Sequence, residues 1–154
     1  MKNKLLLALA FGVASNATFA VCPNNINGGW SGSNTASDQS VITTGDNTSI
    51  LNGSSYSVLT LNINGSSGVS NYFAGTDAGP GNGVEQSTTP TAVGVSYDKA
   101  GCKGTITTPE ETVYFTVSNN GKTLRGVSYK SNSGTFDGGS YKEGKAKLWE
   151  MEKQ

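Results

Sequence analysis

An all-β domain, closing as an antiparallel up-and-down barrel of about eight strands, is the fold this sequence predicts. Three observations predict it. Short stretches of alternating apolar and polar residues recur along the chain; Gly, Ser, Thr and Asn break them every few residues; and no stretch after the first twenty residues carries the periodicity of a helix of ordinary length. Sequential antiparallel pairing is the commonest way to connect such strands, and closing the meander removes its exposed edges. A two-sheet β-sandwich is the alternative.

Residues 1–20 read as an export leader. Lys2 and Lys4 make a positive start, residues 5–13 an apolar run, and residues 17–20 a small-residue cut region, with cleavage expected after Ala20 and Ala17 as the alternative. The apolar run falls short of the roughly 20 residues a membrane-crossing helix needs, and no other stretch approaches that length. Val21 before Cys22 departs from a lipoprotein signal. The expected organisation is a signal peptide over 1–20 and a single β domain over 21–154, soluble, of bacterial form, and secreted or periplasmic.

Residues 27–33, centred on Trp30, make a first strand, and residues 39–44, with Val41 and Ile42, a second. Residues 56–64 alternate cleanly, with Leu59, Leu61 and Ile63 on one face. Asn64-Gly65 turns the chain, residues 69–76 return, and residues 77–90 form the longest irregular stretch. Residues 91–98 carry Val93, Val95 and Tyr97 on one face and turn into 103–107, which Pro109 ends. The clearest hairpin spans 111–130: Val113, Phe115 and Val117 alternate with polar residues, 119–122 supply the turn, and Leu124, Val127 and Tyr129 run back. The step from Leu124 to Val127 breaks the alternation, so a bulge is expected at Gly126. A Gly- and Ser-rich turn over 131–140 leads to a last strand over 145–153, whose helix-favouring residues are outweighed by strand neighbours and the lack of a cap.

Cys22 and Cys102 are the two cysteines of the chain, and in an oxidising compartment they are expected to pair. No Lys or Arg occurs between Lys4 and Lys99. With Lys2 and Lys4 in the leader, nine basic side chains remain against eleven acidic ones, too few and too mixed for a nucleic-acid-binding face.

Histidine is absent, which removes Ser-His-Asp and Cys-His catalysis and most zinc sites. Glu110-Glu111 is the only adjacent carboxylate pair; on an extended chain its members point to opposite faces, and they read as solvated turn residues rather than a hydrolase pair. Asp77, Asn82 and Glu85 offer oxygens for calcium, but two carboxylates at a spacing unlike an EF-hand make a poor cage, and no metal or cofactor is expected. Aromatic residues exceed what a thin core needs. Trp30, Tyr72, Tyr97, Tyr114 and Tyr129 are the candidate ligand-binding residues, Tyr114 first because it faces away from Val113, Phe115 and Val117.

Gly28-Gly29-Trp30-Ser31-Gly32 near the mature start resembles the Gly-x-Trp opening of small secreted calycins, the lipocalin- and avidin-like barrels, in which the Trp plugs one barrel end. The resemblance implies an up-and-down barrel that binds a ligand. The later paired motifs of lipocalins and the aromatic array of avidins are missing, so it carries no binding residue to this chain.

These readings converge on an exported, non-enzymatic binding protein whose partner is a small molecule, a carbohydrate or another protein. A secreted adhesin- or effector-like interaction module is one alternative, marked by a contiguous exposed aromatic patch, and a carboxylate-based hydrolase is another.

Overall fold

Nine β-strands and no helix make up the described part of the computed structural model, which covers residues 21–76, 84–86 and 90–154, the side chains of 72–76 and 84–86 excepted. They are β1 (Gly28–Thr44), β2 (Asn47–Asn64), β3 (Ser67–Thr76), β4 (Val84–Gln86), β5 (Thr91–Asp98), β6 (Lys103–Thr107), β7 (Thr112–Val117), β8 (Thr123–Phe136) and β9 (Gly139–Lys153). All pairings are antiparallel. Each strand neighbours the next except that β4 does not pair β5; β5 pairs β3 directly, and β1 pairs β9, so eight strands close into a ring while the short β4 adds to the end of β3. Residues 1–20, the expected leader, and the loop residues Asp77 and Asn82 lie outside the described residues.

Alternation decides which face is which. Leu59, Leu61 and Ile63 of β2 point inward with Trp30, Val93, Val95, Ile106, Val113, Phe115, Val117, Leu124, Trp149 and Met151, and together they fill the barrel. The residues between them, such as Ser31, Ser33 and Thr35 on β1 or Thr60 and Asn62 on β2, face outward. Gly65, at φ +62°, makes the β2–β3 turn in the left-handed conformation that the Asn-Gly pair predicts.

One end of the barrel is closed by residues 21–27. Ile26 is buried there, its carbonyl accepts from Trp30 Nε1 at 2.9 Å, and Lys153 Nζ sits 5.7 Å from the Trp30 ring centroid. Cys22 is joined to Cys102, with Cα atoms 5.1 Å apart, which ties this segment to the β5–β6 turn. Tyr97 adds a hydrogen bond from its hydroxyl to the Pro23 carbonyl at 3.0 Å.

At the other end four strands outrun the ring. The β7–β8 ladder stops at Val113↔Ser128 and the β2–β3 ladder at Ser55↔Thr76, while β1, β2, β8 and β9 continue together to Thr44, Asn47, Phe136 and Gly139. The result is a four-stranded blade, in the order β2-β1-β9-β8, that projects about eight residues or ~26 Å beyond the ring. The first two expected strands are therefore one, β1, and the expected turn over 131–140 is mostly strand, with the reversal confined to Asp137 and Gly138. Cross-strand pairing through Ser, Thr, Asn and Gly keeps these segments extended where composition alone suggests loop.

No bulge interrupts β8. Its register runs unbroken against β7 and β9, with Leu124, Gly126 and Ser128 inward and Arg125, Val127 and Tyr129 outward. The apparent break in alternation arises because an inward position is glycine. Phe115 lies between Gly104 and Gly126 on the flanking strands, and a Cβ at Gly126 would come within 2.8 Å of Val113 Cγ1 and 3.3 Å of Phe115 Cβ.

Candidate functional site

The β-pleat puts Tyr114, Val127 and Leu148 directly opposite one another on β7, β8 and β9, all facing solvent, at 63, 51 and 64 % exposure. The same row continues through Thr35 on β1 to Tyr56 on β2, itself 45 % exposed. Four inter-strand steps make the strip ~19 Å long. Beneath Tyr114, Val127 and Leu148 runs an open groove of about 640 Å³, which Ser33, Thr116, Arg125 and Glu150 border. Arg125 donates to Glu150 Oε1 from Nε at 2.9 Å and from Nη2 at 2.7 Å, a solvent-exposed ion pair on the rim.

A second, polar site occupies the blade end of the barrel. Lys147 forms an ion pair with Glu111 Oε1; Ser128 Oγ donates to Glu111 Oε2 at 2.6 Å; and Trp149 Nε1 donates to Ser128 Oγ at 3.4 Å. A cavity of about 360 Å³ lies beside this cluster, lined also by Ser70, Thr91, Thr108 and Glu110. Glu111 therefore departs from the expected solvated turn residue: its side chain is only 8 % exposed, because the 108–111 loop folds it over the barrel end, while Glu110 stays in solvent. Thr108 sets that loop by accepting from the Glu110 and Glu111 amides at 3.2 and 3.0 Å. Lys147 lies far along the sequence and, on an alternating strand, looks like any solvated lysine, so no local signal announces the pair.

The five aromatic candidates do not converge. Trp30 is buried in the closed end, and Tyr97 stacks against Phe115 with ring centroids 6.4 Å apart. Burial, and secondarily the adjacent Asp98 carboxylate, hold the Tyr97 phenol above its usual pKa. Tyr114 lies in the apolar strip, and Tyr129 is exposed on the blade, where its hydroxyl approaches the space over Gly144. The Tyr72 side chain lies outside the described residues, as does that of Glu85, so the calcium candidates Asp77, Asn82 and Glu85 form no described site. Among the described residues no cluster of His, Cys, Asp or Glu is arranged to hold a metal. Val127 and Leu148 escape a search for aromatics, although their position in outward register on adjacent strands is what makes the strip.

No family model and no curated protein matches the chain. Among solved structures, the chain is similar to Ail, the attachment invasion locus protein of Yersinia pestis, in a crystal structure with the heparin analogue sucrose octasulfate. Identity is 14 % and the TM-score 0.39, over 80 % of this chain and 99 % of that one. This likeness concerns strand arrangement and brings neither ligand nor site residues to this chain. The calycin resemblance is corrected here: no lipocalin- or avidin-like family model matches the chain, and the similar structure above is that of Ail. The Gly-Gly-Trp segment owes its form to local packing, with Trp30 inward at the start of β1 and Gly32 where a Cβ would fall 2.0 Å from the Glu150 carbonyl oxygen.

Proposed function

We propose that this protein is an exported, non-enzymatic attachment module that binds a partner protein through the outer face of β7, β8 and β9. The observation that carries the reading is the in-register exposed strip of Tyr114, Val127 and Leu148, three large apolar side chains facing solvent on three adjacent strands. A contiguous apolar patch with a polar rim is the usual anatomy of a protein-docking surface. Packing of the interior by Trp30, Leu59, Leu61, Ile63 and Met151 speaks against a small ligand inside the barrel. Engagement of Glu111 by both Lys147 and Ser128 speaks against a free carboxylate for hydrolysis.

No helix among the described residues is long and apolar enough to cross a membrane, which says nothing of a barrel. The side-chain pattern bears on a barrel: the buried large apolar residues point in, and the outward positions mix Ser, Thr, Asn and charged residues with exposed Tyr56, Val58, Val69, Tyr114, Val127 and Leu148, whereas a lipid-facing barrel carries a continuous outer apolar band about 25 Å tall. That pattern, with the leader and the disulfide, supports a water-facing domain in the bacterial envelope or outside the cell.

Retention of the purified mature protein on arrays of extracellular-matrix proteins and of glycans tests the reading. Retention on protein spots should fall about tenfold or more in a Tyr114→Ser, Leu148→Ser variant whose far-ultraviolet circular dichroism is unchanged. Unaltered retention would refute the assignment. So would retention confined to glycans and abolished by Tyr114→Ser alone, which would mark a sugar-stacking platform instead.

A further inference from the structure

We propose that the free edge of β8 joins two copies of this chain through an isologous antiparallel β-ladder, merging their four-stranded blades into one eight-stranded sheet. Residues 129–136 of β8 pair with β9 on one side and with no described strand on the other, so backbone N–H and C=O groups face an edge without a described strand partner, the Ser133 N–H being met there by the Asn132 side chain, to whose Oδ1 it donates at 3.0 Å. All of these residues except Gly134 are exposed. Such an edge pairs readily unless charge, proline or a bulge blocks it. This one has no proline, an unbroken register, and a single charged residue, Lys130.

The shape of the molecule selects a second copy related by a two-fold axis perpendicular to the blade. Translation side by side would also make β8 antiparallel to the neighbour's β2, but it would set both barrels at the same end with a repeat of only four strands, ~19 Å. A closed eight-stranded barrel with its outward side chains is wider than that. The two-fold places the barrels at opposite ends of the joined sheet, where they cannot collide, and gives a closed dimer rather than a filament.

That axis preserves the faces of the sheet, so facing residues share parity along β8. Centring it on Ser133 sets Ser131 against Thr135, Asn132 against Gly134 and Lys130 against Phe136 of the second copy. The hairpin tip then stops short of the Val113↔Ser128 rung where β7 begins. Lys130 would meet the Phe136 ring with Asp137 beside it, and no like charges would oppose each other.

Ser133 gives a direct test, because in an antiparallel ladder a residue on the two-fold faces its own copy at a Cα distance of about 4.5–5.5 Å, within disulfide range. Both native cysteines are already paired, so an introduced thiol reports only on this contact. The mature protein should sediment as a dimer. Ser133→Cys should give a covalent dimer at least tenfold faster than Thr135→Cys, whose thiols would be separated by about four residues along the ladder, ~13 Å. Ser133→Lys, which opposes two ammonium groups on the axis, should yield a monomer with an unchanged circular dichroism spectrum. A monomeric wild type, a dimer indifferent to Ser133→Lys, or equal cross-linking at 133 and 135 would each overturn the proposal. None of these variants touches the Tyr114–Leu148 strip, so the two readings stand or fall separately.

Discussion

Glu111 shows how little a single residue discloses before its neighbours are known. Its carboxylate is nearly withdrawn from water, which is tolerable only because Lys147 and Ser128 supply the interactions that solvent would. Removing one partner of such a pair leaves the other charge uncompensated, whereas removing both is often close to neutral. Lys147→Met is accordingly expected to lower unfolding stability by about 2 kcal/mol, less than for a fully buried pair because Lys147 keeps some exposure. Glu111→Leu combined with Lys147→Met should recover most of that loss, and urea denaturation of the three proteins measures both effects. By contrast, the exposed Arg125–Glu150 pair is screened by solvent and adds little to stability.

Among the elements, the β6–β7–β8 unit is where sequence and structure diverge most instructively. The inward row Gly104–Phe115–Gly126 gives one large ring the room of three side chains, so the two glycines are packing partners rather than flexible points. Gly126→Ala should cost about 2 kcal/mol by overpacking against Val113 and Phe115. Gly94→Ala on β5, where the nearest heavy atom to a new Cβ is 3.9 Å away, should be neutral or mildly stabilising, and thermal melts of the pair provide the comparison. The alternation of 113–117 and of 59–63 was legible because large apolar residues sit at every second position. The run through Gly126 was not, since a glycine that faces the core looks the same in sequence as one that breaks a strand. The blade was hidden for a related reason: Ser, Asn and Gly signal turns locally, yet in register across four strands they pair edge to edge.

The whole molecule has two unlike ends, one sealed and one extended. The Cys22–Cys102 bond closes a loop of 80 residues, spanning β1 through β5, and fastens the N-terminal segment across the sealed end. The chain-entropy account gives such a loop about 4–5 kcal/mol of stabilisation. Cys22→Ser with Cys102→Ser should lose roughly 3–4 kcal/mol of that, the rest being retained through structure persisting in the unfolded chain. Denaturation midpoints with and without reductant give the measurement. The sequence by itself determined the strand class, the pairing of the two cysteines and the inward set of Leu59, Leu61, Ile63, Val113, Phe115 and Val117, because a period of two and a cysteine count of two need no knowledge of distant residues. Only the tertiary structure decided that the meander closes through β1 and β9, that Lys147 meets Glu111, and that Tyr114, Val127 and Leu148 share one outward row. Those facts depend on register between strands remote in sequence, and register is set when every strand buries its apolar face at once, not by any one strand's residues.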